Sequence, residues 1–235
     1  MDGFSTLDGL ALLVFGLAWG VYHLIIEREG SLGLNHLMNG YRLDWMMEMA
    51  ERDQRMVDSG IMASLQNGAA FFASTSLLAI GGTVSLLRAS EDVQRVFSDL
   101  PIGLVASRAL WEMKVVGLLL IFGYAFFKFA WSYRLFNFTA ILIGATPSRS
   151  ASDPLRRKAF ATRAAQMNVV AGKHFTRGQR AFFYALAYLG WFLGPYVFLV
   201  TTVCVLLVMW RRQYASDARD AATFEHEKQV SARRK

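Results

Sequence analysis

Residues 59–87 read SGIMASLQNGAAFFASTSLLAIGGTVSLL, 29 positions without one Asp, Glu, Lys or Arg. About 20 mostly apolar residues in a helix cross the hydrocarbon core of a bilayer. A helix on the surface of a soluble domain would carry charge on its outer face. The run therefore reads as a membrane span.

Two further runs share this property: Gly9–Ile26 over 18 residues and Ala181–Trp210 over 30. Gly194-Pro195 inside the second of these predicts a kink, because proline removes a helix hydrogen bond. Leu110–Tyr133 is apolar and aromatic but contains Glu112, Lys114 and Lys128. Its two lysines are separated by 13 residues, roughly 20 Å of helix. Both can reach the interfaces by snorkelling, so a fourth span is expected. Phe138–Ala145 is too short to cross and reads as an interfacial or re-entrant extension. The first span has neither a basic segment before it nor a small-residue cleavage site after it, and reads as a retained signal anchor.

Composition agrees. Of 235 residues, 54% are hydrophobic and 18% charged, against about 45–50% and about 25% in an average soluble domain. A single cysteine, Cys204, excludes a disulfide scaffold and any multi-cysteine metal site. The expected fold is all-α: an integral membrane protein with four spans, an amphipathic helix before the second and a basic helical loop before the fourth. Residues 1–220 are expected to form one membrane domain, and residues 221–235 a charged, disordered tail. Four spans place both termini on one side. The basic run Arg149–Arg180 pulls its loop toward the cytoplasm and the termini outside, whereas Arg211 and Arg212 pull the other way.

The formal charge of +7 is uneven. Residues 27–58 hold seven acids and four arginines, and residues 128–180 hold ten bases against Asp153 alone. These bases flank apolar stretches, so anionic lipid headgroups, and not nucleic acid, are the expected partners. Phe160, Ala164, Met167, Ala171 and Phe175 share one helical face between basic positions. That segment is either a surface helix on lipid or a linker helix packed on protein.

Tyr41–Asp58 has the pattern of one amphipathic helix, with Glu48–Arg52 and Glu51–Arg55 four apart. Its charges are either solvated pairs or a buried network of Arg52, Arg55 and Asp58. In the second span, Gly60, Ser64 and Gly68 have the small-xxx-small spacing that lets another helix approach. Ser74, Thr75 and Ser76 either bond their own helix carbonyls or line a polar path with Gln66 and Asn67. Lys128 and Arg134 lie among phenylalanines in the third span, as snorkelling cations or as cations facing a cavity.

Catalytic signals are nearly absent. His23, His36, His174 and His226 form no ligand spacing, and no P-loop, dinucleotide fingerprint or nucleophile elbow occurs. No cofactor and no enzymatic activity are expected.

Several blocks resemble a known family. Arg42-x-x-Trp45-Met46, Arg52-Asp53-x-Arg55-x-Val57-Asp58 and Phe71-Phe72-Ala73-Ser74-Thr75 are similar to the first half of the bacterial and plant membrane family called domain of unknown function 599 (DUF599). Phe126–Trp131 with Ser132, Arg134 and Asn137 resembles its central signature, and His174-Phe175-x-Arg177-Gly178-x-Arg180 with the Trp191 span its third block. The resemblance covers residues 5–220, and it implies a membrane fold without a mechanism. The function expected from the residues is a homo-oligomeric permeation pathway in a bacterial inner membrane, with anions as the candidate cargo. The alternative is a non-catalytic accessory subunit binding another membrane complex or acidic lipid.

Overall fold

The computed structural model describes residues 4–27, 33–88, 107–150 and 153–223. They form no strand and six long helices, α1 (Thr6–Glu27), α2 (Leu34–Ala50), α3 (Met56–Arg88), α4 (Arg108–Ala145), α5 (Pro154–Leu189) and α6 (Pro195–Tyr214), with a 3-10 turn Gly190–Leu193 between the last two and a short helical stretch over 217–223. Four helices are long and apolar enough to cross a membrane: α1, α3, α4 and the C-terminal Pro195–Thr223. Their mean hydropathies are 2.0, 1.7, 1.7 and 1.4. The all-α membrane fold expected from the charge-free runs is present. Residues 221–223 are helical, and the rest of the expected tail lies outside the described residues.

The chain forms two interleaved compact units. The first comprises Met1–Glu27, Ala73–Phe127 and Arg177–Val208. It therefore contains all of α1, the later half of α3, the start of α4, the end of α5 and most of α6. Ser5 caps α1: the Asp8 amide donates to Ser5 Oγ at 3.1 Å, and the Ser5 amide donates to Asp8 Oδ2 at 3.0 Å. This reciprocal box satisfies two amides that a helix start leaves unpaired. The core of the unit is aromatic, with Phe15 against Tyr184, Tyr188 and Phe198 at 5.5, 5.6 and 5.1 Å between ring centres.

Here the structure corrects the expected fourth span. Ala181–Trp210 is not one kinked helix. Thr201 Oγ1 donates to the Ala187 carbonyl at 2.8 Å. Fourteen residues of continuous helix would hold these groups roughly 20 Å apart. The Phe198 ring also returns to within 5.6 Å of Tyr188. The chain turns back on itself, and two glycines make this possible. Gly194 has φ 122° and ψ 164°, a region essentially confined to glycine. Gly190 lies against Thr201, where a Cβ would overlap the hydroxyl.

This reversal sets direction within the unit. The α1 start meets Trp191 through Asp8, and its end meets Arg177 through Glu27. The end of α5 thus runs opposite to α1, and α6 runs parallel to α1. The end of α5 runs back along α1 and is not among the four helices that are long and apolar enough to cross a membrane.

The second unit comprises Arg28–Phe72, Lys128–Thr176 and Met209–Lys235. Its core joins Met46 and Met49 of α2, Met62 of α3, Phe136 and Ile143 of α4, and Ala164, Ala165 and Ala171 of α5. The alanine face of α5 allows close packing, so the face expected on lipid or protein is packed on protein. Phe138–Ala145 is not a separate re-entrant segment. It is the last part of the 38-residue α4, and Phe138, Leu142 and Ile143 pack into this core.

Two outcomes follow. Gly194→Ala should lower stability in detergent by about 1–3 kcal/mol, while Gly123→Ala, which meets nothing within 4 Å, should leave it unchanged; thermal unfolding reads both. In a Cys204→Ser chain, Phe4→Cys and Ala215→Cys should react with an impermeant thiol reagent from opposite faces of the membrane. Labelling of both from one face would refute a parallel course of α1 and α6 across the membrane.

Candidate functional site

The polar groups of the second unit centre on Asp58, in the first turn of α3. Its carboxylate is fully buried. Oδ1 accepts the Trp45 indole N–H at 2.7 Å and Arg52 Nη1 at 3.1 Å, while Oδ2 is buried without a partner. The single helix expected over Tyr41–Asp58 is broken: α2 ends at Ala50 and α3 begins at Met56. The break lets Asp58 fold back onto Trp45, and the tertiary partners replace the expected pairs at four-residue spacing. Glu51 accepts Arg157 Nη2 through both oxygens at 3.0 and 3.1 Å.

Arg55 does not join Asp58. Its guanidinium donates to the carbonyls of Ile143 (3.0 Å), Thr146 and Pro147 (2.8 Å). These carbonyls lie at the end of α4, where a helix leaves acceptors unpaired and favours a cation. Of the expected network, Arg52 and Asp58 are together and Arg55 is a helix cap.

The other expected residues are dispersed. Ser74 is exposed, Thr75 half-buried and Ser76 buried, so the three hydroxyls face different ways. Lys128 is half-buried, and Arg134 is exposed with its guanidinium 5.4 Å from the Phe138 ring centre. Gly60 and Ser64 are exposed and Gly68 is half-buried. A Cβ added at Gly60 or Gly68 would meet nothing within 4 Å, so the described residues do not cover those two positions. Gln66 bonds Asn137 across α3 and α4 at 2.8 Å, whereas Asn67 faces outward.

Three polar clusters were not singled out from sequence as sites. In the second unit, Arg42 donates to the side-chain and main-chain oxygens of fully buried Asn168. Burial pushes its guanidinium below the ordinary arginine pKa. In the first unit, Trp191 Nε1 donates to Asp8 Oδ1 at 2.6 Å, and buried Lys114 donates to the Trp191 carbonyl at 2.7 Å.

The third cluster lies at the other end of that unit. Arg177 grips Glu27 with a fork, Nε to Oε1 at 2.6 Å and Nη2 to Oε2 at 2.5 Å. Arg180, one helical turn on, donates Nη2 to Oε1 at 3.2 Å. His23 Nδ1 is 3.3 Å from the same oxygen. Trp19 stacks on Tyr184 at 4.8 Å with the ring planes 3° apart. Sequence offered one signal for this cluster, the pair of arginines in the block beginning at His174.

A family model described as "Protein of unknown function, DUF599" matches residues 10–218. The chain belongs to the DUF599 family. The match runs from the first turns of α1 to beyond the end of α6, so Glu27, Asp58, Arg177, Arg180 and Trp191 lie within the matched range, while Asp8 precedes it. Neither the curated proteins nor the solved structures give a match.

Asp58→Ala should leave the Trp45 N–H without its acceptor and cost about 1–3 kcal/mol. Arg52, nearly half exposed, should cost less than about 1 kcal/mol when replaced by Ala. Thermal unfolding of both in one detergent checks the ratio, and equal losses would contradict the assignment.

Proposed function

We propose that this chain is one subunit of a homo-oligomeric permeation pathway in a bacterial inner membrane. Copies meet along the outer face of α3, and the polar part of that face lines the path. The observation that carries the reading is a stripe on α3. Gly60, Ser64, Asn67, Phe71, Ser74, Leu78, Gly81 and Ser85 alternate steps of four and three, and every one is exposed. This is the seven-residue period of a helix–helix seam. Six of the eight are small or polar, which suits a helix neighbour better than lipid, since polar groups in hydrocarbon need partners and small residues let backbones approach.

A second copy is a fitting partner because the stripe pairs with itself: small positions face small positions, and Asn67 can bond its counterpart. Anions are the candidate cargo, on the strength of the +7 charge and exposed Arg134. The subunit conducts and performs no reaction, with anionic lipid around it and no nucleic acid partner.

Disulfide cross-linking tests this reading. In a Cys204→Ser chain, Ser64→Cys should give dimers of this chain in native membranes, and adding Gly60→Leu and Gly68→Leu should abolish them. The purified assembly should pass anions in proteoliposomes. Cross-links only to a different protein, with no flux above empty liposomes, would favour the accessory-subunit alternative and overturn the pathway.

A further inference from the structure

We propose that Trp131, Tyr133 and Arg134 on α4, with Trp210, Arg211 and Arg212 on α6, form a belt that meets one phospholipid headgroup layer. On this reading α4 leaves the hydrocarbon at Arg134, and its last turns stand outside the bilayer. All six side chains are exposed and belong to the second unit. The belt does not depend on the permeation pathway.

The length of α4 poses the problem. Its 38 residues make roughly 57 Å of helix, whereas the hydrocarbon core is about 30 Å thick. Membrane helices tilt by about 20° on average, which shortens their reach by less than about a tenth. A large part of α4 therefore projects. Its outward side chains tell which part. Met113, Val116, Leu120 and Phe127 are exposed and apolar, and the face then changes to Trp131, Tyr133 and Arg134. Exposed Arg108, paired with Glu112, bounds the apolar face at its other end. From Glu112 to Trp131 is roughly 28 Å of helix, close to the thickness of the hydrocarbon.

The outward face of α6 changes in the same way. Val200, Val203 and Leu207 are exposed and apolar, and Trp210, Arg211 and Arg212 follow. Aromatic rings with a polar edge, and arginines whose heads reach phosphate, are the side chains of the membrane–water interface. Anionic headgroups add attraction for the three guanidinium groups.

The helix packed on the far part of α4 supports the same boundary. Ala164 and Ala165 of α5 share a core with Phe136 and Ile143 of α4. The outer side of that part of α5 exposes Arg156, Arg163, Gln166 and Lys173, and α5 contains no Asp or Glu to pair with them. Three cations and an amide spread over roughly 26 Å of helix are too costly to hold in hydrocarbon, so this face of α5 meets water.

Thiol labelling tests the boundary. A Cys204→Ser chain is placed in phosphatidylglycerol-containing nanodiscs, which leave both membrane faces open to solution. Leu120→Cys, Phe127→Cys and Ile141→Cys are then treated with a charged maleimide. The native side chains are 68%, 70% and 66% exposed, so the protein itself does not distinguish them. Ile141→Cys should react at least tenfold faster than the other two, and all three should react alike in denaturant. The unaltered chain gives a reading without any substitution. Cys204 is exposed on α6 before the belt, and it should stay unlabelled in nanodiscs and react in denaturant. Ile141→Cys as slow as Leu120→Cys would overturn the proposal, because lipid would then cover α4 beyond Arg134. Phe127→Cys as fast as Ile141→Cys, or labelling of native Cys204 in nanodiscs, would overturn it by putting water on the apolar side of the belt.

Discussion

Trp191 stands at the point where the first unit is closed. Its indole N–H ends on Asp8 at the start of α1, its carbonyl accepts Lys114 from α4, and its ring stacks on Phe198 of α6 at 5.6 Å. The Lys114 ammonium also lies 5.2 Å from the ring centre. Buried charges are tolerated when they are paired and hydrogen-bonded, and both charges here meet that condition through one tryptophan. Without this residue the turn at Gly190–Leu193 would leave a carboxylate and an ammonium in an apolar body. Gly190 and Gly194 permit the reversal of the chain, and the contacts of Trp191 fasten it to α1, α4 and α6.

The spans were legible because lipid imposes a simple rule: backbone groups must be bonded within the segment and side chains must be apolar. That rule constrains hydropathy and leaves connectivity free. A 30-residue apolar run satisfies it equally as one long helix or as two antiparallel segments. Gly194-Pro195 announced a break in Ala181–Trp210, but the break became a reversal through Gly190, whose missing side chain gives room to Thr201. No local pattern at Gly190 carries that information. The amphipathic reading of Tyr41–Asp58 failed for a related reason. Pairs at i and i+4 contribute a few tenths of a kcal/mol, too little to hold a helix together against tertiary bonds from Asp58, Arg55 and Glu51.

Side-chain partners divided along the same line. Arg52 and Asp58 lie six residues apart, and sequence offered their pairing as one of two readings. Arg55 binds main-chain carbonyls of α4, and carbonyls have no sequence signature. Glu27 and Arg177 are 150 residues apart, so only the arginine block near His174 pointed toward that cluster. The small-residue face of α3 was visible at Gly60, Ser64 and Gly68, but its extent to Ser85 emerges only when exposure is known along the whole helix.

The two ends of the first unit treat charge in opposite ways. At the Asp8 end, Oδ2 takes the Ser5 amide and hydroxyl, Oδ1 takes the indole, and Lys114 is bonded to a carbonyl and lies against a ring. Acceptors and donors are matched there, which suits a structural joint. At the Glu27 end, two guanidinium groups and an imidazole converge on one carboxylate, and one Arg180 N–H is buried without an acceptor among the described residues. A buried donor left unmatched costs free energy that a matched one does not, so the Glu27 end is the less completely bonded of the two.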